Sequence, residues 1–201
     1  MKESYITLQR RSIRFQSFDY SQPGIYFVTI CAFEMKCMFG SFVSQEMRLS
    51  RIGEIVEECW SQIPGHFRNV GSEMHVVMPN HLHGLLTIRP DGKGARHAVP
   101  LQSEAAGDRE GYGAQLPREG EAFESFQRPV AGSLGTIVRS FKAAVTARAR
   151  QTLKRSELVV WQRNYYERVI RTQKEIRGAQ RYVFENPARW LAKGSAGNRF
   201  D

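Results

Sequence analysis

Apolar residues fall along the first half of the chain in two kinds of pattern. Some short segments are runs of β-branched and aromatic side chains, which is typical of strands. One longer segment has apolar residues at helical spacing and stops at Pro64-Gly65. Pro79-Asn80 lies between two apolar runs and supplies the fixed φ and the turn-prone side chain of a tight reversal. The predicted elements are a central strand at residues 24–33, a helix at 50–63, and hairpin strands at 73–78 and from His81 onward.

The second half of the chain begins with a long polar region. Residues 90–131 are dominated by Gly, Pro, Gln and charged side chains without periodicity, which predicts a flexible insertion. Beyond it, Thr172 and Glu175 have the spacing of a capping box, and Pro187 disfavours helix at the residue before it. The elements predicted after the insertion are a helix at residues 133–153 with Ser133 as its N-cap, a short strand at 158–161, and a helix from Thr172 to about Asn186.

About four strands and three helices in irregular order predict an α+β fold rather than a doubly wound sheet. We expect one domain spanning residues 1–201, with residues 1–23 as a basic N-terminal arm. No apolar run is long enough to span a bilayer, and the polar N-terminus lacks the apolar core of a secretion signal, so we expect a cytoplasmic protein with no membrane partner. The three cysteines lack C-x-x-C spacing and are expected to be reduced structural thiols.

Positive charge points to a polyanionic partner. The chain has 29 Lys and Arg against 20 Asp and Glu, a formal net charge of +9. The helix that starts at Ser133 has no acidic residue before Ser156, which favours contact with phosphates. The residues predicted to bind DNA are Arg10, Arg11 and Arg14 in the arm, Arg139, Lys142, Arg148 and Arg150 in that helix, and Arg163 after the short strand.

Two histidines in the hairpin form half of a candidate metal site. His81 and His83 are separated by one residue, and alternate side chains of a strand share a face, so both imidazoles point to one side of the sheet. A histidine-triad nucleotide hydrolase would need a third histidine where Leu85 stands, which makes that reading weak.

The C-terminal helix carries two further polar side chains on one face. Tyr182 and Asn186 are four residues apart, so a phenol and a carboxamide lie one helical turn from each other. Taken alone, these residues are better explained as core and helix-capping residues. Their combination with the histidine hairpin is what points to a catalytic site.

Several motifs in the same order resemble the REP-associated tyrosine transposases, a group of single-tyrosine HUH transposases that act on single-stranded DNA. The likeness covers most of residues 10–193. The segments that carry it are MPNHLH at 78–83, SLGTIVRSFK at 133–142, WQRNYYE at 161–167, Ile170-Arg171, and YVFENP at 182–187.

This resemblance implies a fold, a ligand set and an activity. The implied fold is a ferredoxin-like α+β domain, a four-stranded antiparallel sheet with helices packed on one face and the histidine hairpin in the central strands. His81, His83 and Asn186 match the ligands of Mg²⁺ or Mn²⁺, with Glu185 as a competing ligand, and Tyr182 matches the nucleophile. The implied enzyme is an endonuclease and strand transferase that forms a 5′-phosphotyrosine on single-stranded DNA hairpins without a nucleotide cofactor.

The sequence leaves some alternatives open. Tyr165 and Tyr166 are rival nucleophiles, while His66, His75 and His97 are not needed by the scheme. A nucleic-acid-binding module without catalysis and a domesticated nickase without transposition are the competing functions. The protein is expected to be either a monomer or a dimer that exchanges the tyrosine helix.

Overall fold

The computed structural model describes residues 22–90 and 132–194 of the chain. The predictions for the arm, for the insertion and for Arg10, Arg11, Arg14 and His97 lie outside these residues. In the described ranges, no helix is both long enough and apolar enough to cross a bilayer. The elements are β1 (Gly24–Cys31), β2 (Gly40–Val43), β3 (Glu46–Leu49), α1 (Arg51–Ser61), α2 (Ile63–His66), β4 (Val70–Met78), β5 (His81–Ile88), α3 (Leu134–Leu153), β6 (Tyr166–Ile170) and α4 (Gln173–Gly194).

The main sheet has four antiparallel strands in the order β4-β5-β1-β6, while β2 and β3 pair as a separate hairpin. This order confirms the predicted α+β fold with a four-stranded antiparallel sheet, and it is the ferredoxin-like arrangement. The hairpin prediction needs one correction, because β5 is an inner strand but β4 lies at the edge of the sheet. Thr29 on β1 is opposite His83 on β5 and also opposite Tyr166 on β6, so these three residues form a row across the sheet.

Alternate residues of the strands build two separate cores on the two faces of the sheet. On one face, Tyr26, Val28 and Ile30 are buried with side chains of α1 and α3. On the other face, Phe27 and Leu85 belong to a smaller cluster with Ile176 and Val183 of α4. The prediction that all helices pack on one face is therefore wrong for α4, which covers the face that carries the histidines.

Helix starts follow the sequence signals closely. The Ser50 and Ser133 hydroxyls accept hydrogen bonds from the backbone N–H groups of Gly53 and Thr136, at 3.1 and 3.3 Å. Thr172 and Glu175 form the predicted capping box, in which each side chain accepts from the backbone N–H of the other at 3.2 Å. Such caps satisfy the N–H groups that a helix end leaves without partners.

Two boundaries differ from the prediction. Residues 158–161 do not form a strand, since only Trp161 makes an isolated bridge, to Ala32, and the strand lies later at β6. Helix α4 does not end before Pro187 but continues to Gly194. Proline costs this helix one backbone hydrogen bond, and packing beyond it compensates, because the Trp190 ring lies 5.8 Å from the His81 ring.

Gly84 lets an indole pack directly against the strand of the two histidines. A Cβ added at Gly84 would lie 2.2 Å from Cζ2 of Trp60, which is fully buried. We expect Gly84→Ala to lower the free energy of unfolding by about 3 kcal/mol, since overpacking a rigid core shifts side chains or backbone. Urea denaturation measures this loss. Gly65→Ala is the control, because no atom lies within 4 Å of a Cβ placed there, and an equal loss in both variants would contradict the packing argument.

Candidate active site

The two histidines meet on the face of the sheet that α4 covers. His81 and His83 have their ring centroids 4.5 Å apart, as expected for alternate residues of one strand. His83 is only 5% exposed and its ring stacks on Phe27 at 5.4 Å. The pair is therefore held on an inner strand in a largely dry setting.

Hydrogen bonds to Nδ1 orient both imidazoles. Asn80 donates from Nδ2 to the carbonyl oxygen of Met35 at 3.1 Å, which leaves its Oδ1 to accept from Nδ1–H of His81 at 2.7 Å. Nε2 of His81 then keeps its lone pair. Nδ1 of His83 lies 2.8 Å from Oγ1 of Thr29, which gives the second ring a fixed orientation as well. Such partners fix the ring and tautomer of metal-binding histidines.

Helix α4 brings the tyrosine and the carboxamide to the histidines within one chain. The rings of Tyr182 and His83 meet edge to face at 5.1 Å. Asn186 is 7% exposed and its side chain hydrogen-bonds with His81. Tyr182 is 38% exposed, so an outside substrate can reach it. The four residues singled out from the sequence thus form one cluster.

Burial keeps both imidazoles neutral. It lowers the pKa of His81 to about 4, against a smaller raising effect of the hydrogen bond with Asn186. Burial and the neighbouring His81 lower the pKa of His83 to about 3. Metal ions bind the unprotonated nitrogen, so the pair is in the ligand form at neutral pH.

The donor set suits a divalent cation with nitrogen and oxygen ligands. Among the described residues, no group of three or more His, Cys, Asp or Glu side chains could hold a metal ion. The arrangement here is two imidazoles and one amide oxygen, which leaves coordination positions open for a substrate. The chemistry of His81, His83 and Asn186 therefore fits the Mg²⁺ or Mn²⁺ that the resemblance implies.

The lowered pKa values predict a loss of stability in acid. Between pH 6.5 and about 4, the unfolded chain binds protons at His81 and His83 that the folded chain does not bind, so the free energy of unfolding falls as the pH falls. For the metal-free protein, each imidazole is expected to cost about 2 kcal/mol between roughly pH 7 and pH 5, so the pair costs about 4 kcal/mol. Urea denaturation with a chelator at both pH values measures this. His83→Gln should show a smaller drop, and an equal drop would contradict the assignment.

The other tyrosines and the competing acid lie in different surroundings. Glu185 forms an ion pair with Arg189 at 2.7 Å, and its side chain is 40% exposed. Tyr165 packs with the core on the α1 and α3 face, and its hydroxyl would lie 3.9 Å from a Cβ at Gly135. Tyr166 lies on the same face of the sheet as His83, one strand beyond Thr29. Of the two rival nucleophiles, only Tyr166 is therefore near the histidines.

The histidines that the scheme does not use are accounted for differently. His75 Nε2 lies 2.7 Å from Oε1 of Glu57, and its ring contacts Trp60. His66 is exposed at the end of α2. Neither contributes to the cluster.

Several cations predicted to bind DNA have partners inside the fold. Lys142 donates to the carbonyl oxygens of Gln162, Arg163 and Asn164, at 2.6, 3.5 and 3.3 Å. Burial lowers the pKa of Lys142 to about 8. Arg148 pairs with Glu58 of α1, so α3 has a counter-ion that its own sequence does not show.

Three arginines complete this set. Arg150 donates from Nε to the carbonyl oxygen of Leu158 at 3.0 Å, while Arg139 and Arg163 are exposed. Phosphate contact through α3 stays a prediction, and Arg139 and Arg163 are the members best placed to make it.

Sequence reasoning missed some residues of the site. The guanidinium of Arg189 lies 5.5 Å from the centroid of the Tyr182 ring and adds positive charge beside the hydroxyl-bearing ring. Its spacing of seven residues from Tyr182 is a usable helical signal, provided that the helix continues past Pro187. Asn80 adjoins His81 in sequence, but Thr29 carries no local signal because only the β1–β5 register brings it to His83.

The α+β fold is similar to that of a solved transposase, at low sequence identity. The structure of a REP-associated tyrosine transposase bound to a REP hairpin aligns with a TM-score of 0.52 and 14% identity, over 86% of this chain and 71% of that chain. A candidate transposase of Deinococcus radiodurans aligns with a TM-score of 0.43 and 12% identity, over 83% of this chain and 92% of that one.

One sequence relative is much closer. A protein of Haemophilus influenzae whose function is uncharacterised is 41% identical over 182 residues, which is 90% of this chain and 89% of the relative. The chain belongs to the same family as that protein. No protein-family model matches the chain.

Proposed function

We propose that the protein is a metal-dependent, single-tyrosine DNA transposase of the HUH type that cuts and joins single-stranded DNA. The observation that carries the proposal is the contact of Tyr182 with His83, beside His81 and Asn186, in one chain. Phosphodiester cleavage by a side chain needs a nucleophile that the substrate can reach, next to a cluster of metal donors.

The chemical step is a transesterification at phosphorus. The Tyr182 hydroxyl loses its proton to solvent and its oxygen bonds to phosphorus, while the bond from phosphorus to the 3′ oxygen breaks and that oxygen takes up a proton. The products are a 5′-phosphotyrosine and a free 3′-hydroxyl. Because the bond energy is conserved in the phosphotyrosine, attack by a 3′-hydroxyl in the reverse direction joins strands without a nucleotide cofactor.

The residues of the chain have separate tasks in this scheme. His81, His83 and Asn186 would hold Mg²⁺ or Mn²⁺, which when bound polarises a nonbridging phosphate oxygen. Asn80 and Thr29 orient the two imidazoles through Nδ1. The Arg189 guanidinium faces the Tyr182 ring and offers positive charge to the phosphate.

The proposed substrate is single-stranded DNA with a hairpin. The net charge of +9 supports a nucleic-acid partner, and the related fold was solved with a REP hairpin bound. Because Tyr182 reaches the histidines of its own chain, a monomer holds every proposed catalytic residue, and helix exchange between subunits is not required.

The test of this function is a covalent adduct. The protein is incubated with single-stranded hairpin oligonucleotides labelled at the 3′ end and Mn²⁺, then denatured and separated by size, because a 5′-phosphotyrosine retains the fragment that carries the 3′ end. Label that stays with the protein supports the transposase chemistry. Hairpin binding without any adduct would instead support a binding module without catalysis.

A further inference from the structure

A large cavity opens beside the candidate nucleophile. It has a volume of about 650 Å³ and lies between α4 and the strands β1 and β6. His83 and Tyr182 form part of its wall, so it is continuous with the candidate active site. The full lining is Phe27, Thr29, His83, Tyr166, Arg168, Ile170, Glu175, Gly178, Ala179 and Tyr182.

The walls combine aromatic and apolar surface with one ion pair. Phe27 and Ile170 come from the smaller core, and Tyr166 is 45% exposed beside them. Arg168 pairs with Glu175 at 2.8 Å. Oε2 of Glu175 also accepts from the backbone N–H groups of Arg171 and Thr172, so this acid is held in place. Apolar walls with a few fixed polar groups are typical of a pocket for a planar heteroaromatic ligand.

Gly178 keeps part of this cavity open. It lies inside α4, where glycine costs a helix about 1 kcal/mol relative to alanine. A Cβ at Gly178 would have no atom within 4 Å, so packing within the described chain does not require glycine there. A larger side chain at this position would project into the cavity that Gly178 lines.

We propose that this cavity binds one unstacked nucleobase of the DNA strand, from the nucleotide next to the phosphate that Tyr182 attacks. The inference rests on the proposed function, because that phosphate must reach the Tyr182 hydroxyl and its neighbouring base then lies within one nucleotide of the cavity. Half-exposed Tyr166 provides aromatic surface for the base, Phe27 contributes apolar wall, and Arg168 offers positive charge to an adjoining backbone phosphate. Stacking on aromatic side chains is the usual way in which proteins hold unpaired bases.

The test compares four affinities: those of the wild-type protein and of a cavity-filling variant, each for intact DNA and for DNA with one abasic site. The probe is a labelled hairpin oligonucleotide, selected for tight binding from a library with randomised single-stranded flanks. Single abasic sites are placed along those flanks, and Kd is measured by fluorescence anisotropy in a chelating buffer, so that no cleavage occurs. For the wild-type protein, one abasic position is expected to weaken binding roughly tenfold.

Gly178→Leu is expected to weaken binding of the intact oligonucleotide by roughly the same factor and to remove the penalty at that abasic position. Gly178→Ala should give a smaller loss. Ala188→Leu is the matched control, since it adds the same side chain at an exposed position of α4 outside the cavity. Urea denaturation checks that each variant is folded, and an unfolded Gly178→Leu is replaced by Gly178→Met for the same cycle.

The outcomes separate this inference from the proposed function. Two results would overturn the base pocket. One is that Gly178→Leu binds the intact oligonucleotide as tightly as the wild-type protein does. The other is that Gly178→Leu still loses the full factor in affinity when the DNA carries the abasic site. If the wild-type protein still forms the covalent adduct in that case, only the pocket fails. If the two losses overlap but no adduct forms, the cavity binds an unpaired base, but the cleavage chemistry fails and with it the placement of that base beside an attacked phosphate.

Discussion

Replacing Tyr182 with phenylalanine is expected to abolish the covalent protein–DNA adduct while hairpin binding stays within about twofold. The substitution removes only the nucleophilic oxygen, and the ring that contacts His83 and Phe27 is retained. Loss of a nucleophile lowers a rate by roughly 10³-fold or more. The measurement is label that stays with the denatured protein, with anisotropy of the same oligonucleotide as the binding readout.

Two other tyrosines give this experiment its controls. Tyr165→Phe alters a side chain on the α1 and α3 face of the sheet and should retain the adduct. Tyr166→Phe is the sharper comparison, because Tyr166 lines the cavity beside Tyr182. An adduct that persists in Tyr182→Phe and disappears in Tyr166→Phe would transfer the role of nucleophile to the β6 residue.

The parts of the structure that local sequence decides were predictable. Strand alternation placed His81 and His83 on one face, and the capping spacing of Thr172 and Glu175 placed the start of α4. These features depend on residues at most a few positions apart, where backbone geometry is fixed by the element itself.

The features that were missed depend on residues far apart in the chain. Pro187 is a strong local stop signal, yet α4 continues past it to Gly194. Beyond the proline, Trp190 contacts His81, which lies more than a hundred residues earlier in the chain. The counter-ion of Arg148 comes from Glu58, and no local pattern links them. The same holds for the position of α4, since an amphipathic helix does not specify which face of a sheet it will cover.

The site itself combines both kinds of information. The sequence showed each half of the site as a pair of residues. His81 and His83 are two positions apart in a strand, and Tyr182 and Asn186 are four positions apart in a helix. What joined them was the covering of the histidine face by α4, which only the fold determines. The resemblance to REP-associated tyrosine transposases predicted that the two halves meet, and the structure brings them together.

Asn186 is the proposed third ligand, and a comparison with its neighbour Glu185 tests this. Asn186 is buried and hydrogen-bonds with His81, whereas Glu185 is half-exposed and paired with Arg189. We therefore expect Asn186→Ala to weaken Mn²⁺ binding and to lower adduct formation by roughly 10²-fold, because an oxygen donor is lost from the proposed cation site. Glu185→Gln should change both by no more than about twofold, since exposed ion pairs contribute little.

A conservative variant separates loss of a ligand from loss of structure. Asn186→Asp keeps an oxygen at the same position and should retain Mn²⁺ binding, measured by electron paramagnetic resonance or calorimetry with the hairpin oligonucleotide present. Asn186→Ala should leave hairpin binding in chelating buffer intact, because the amide has no proposed contact with DNA. If Glu185→Gln loses Mn²⁺ while Asn186→Ala keeps it, the carboxylate is the ligand, and α4 must rotate from its described position to bring that side chain to the histidines.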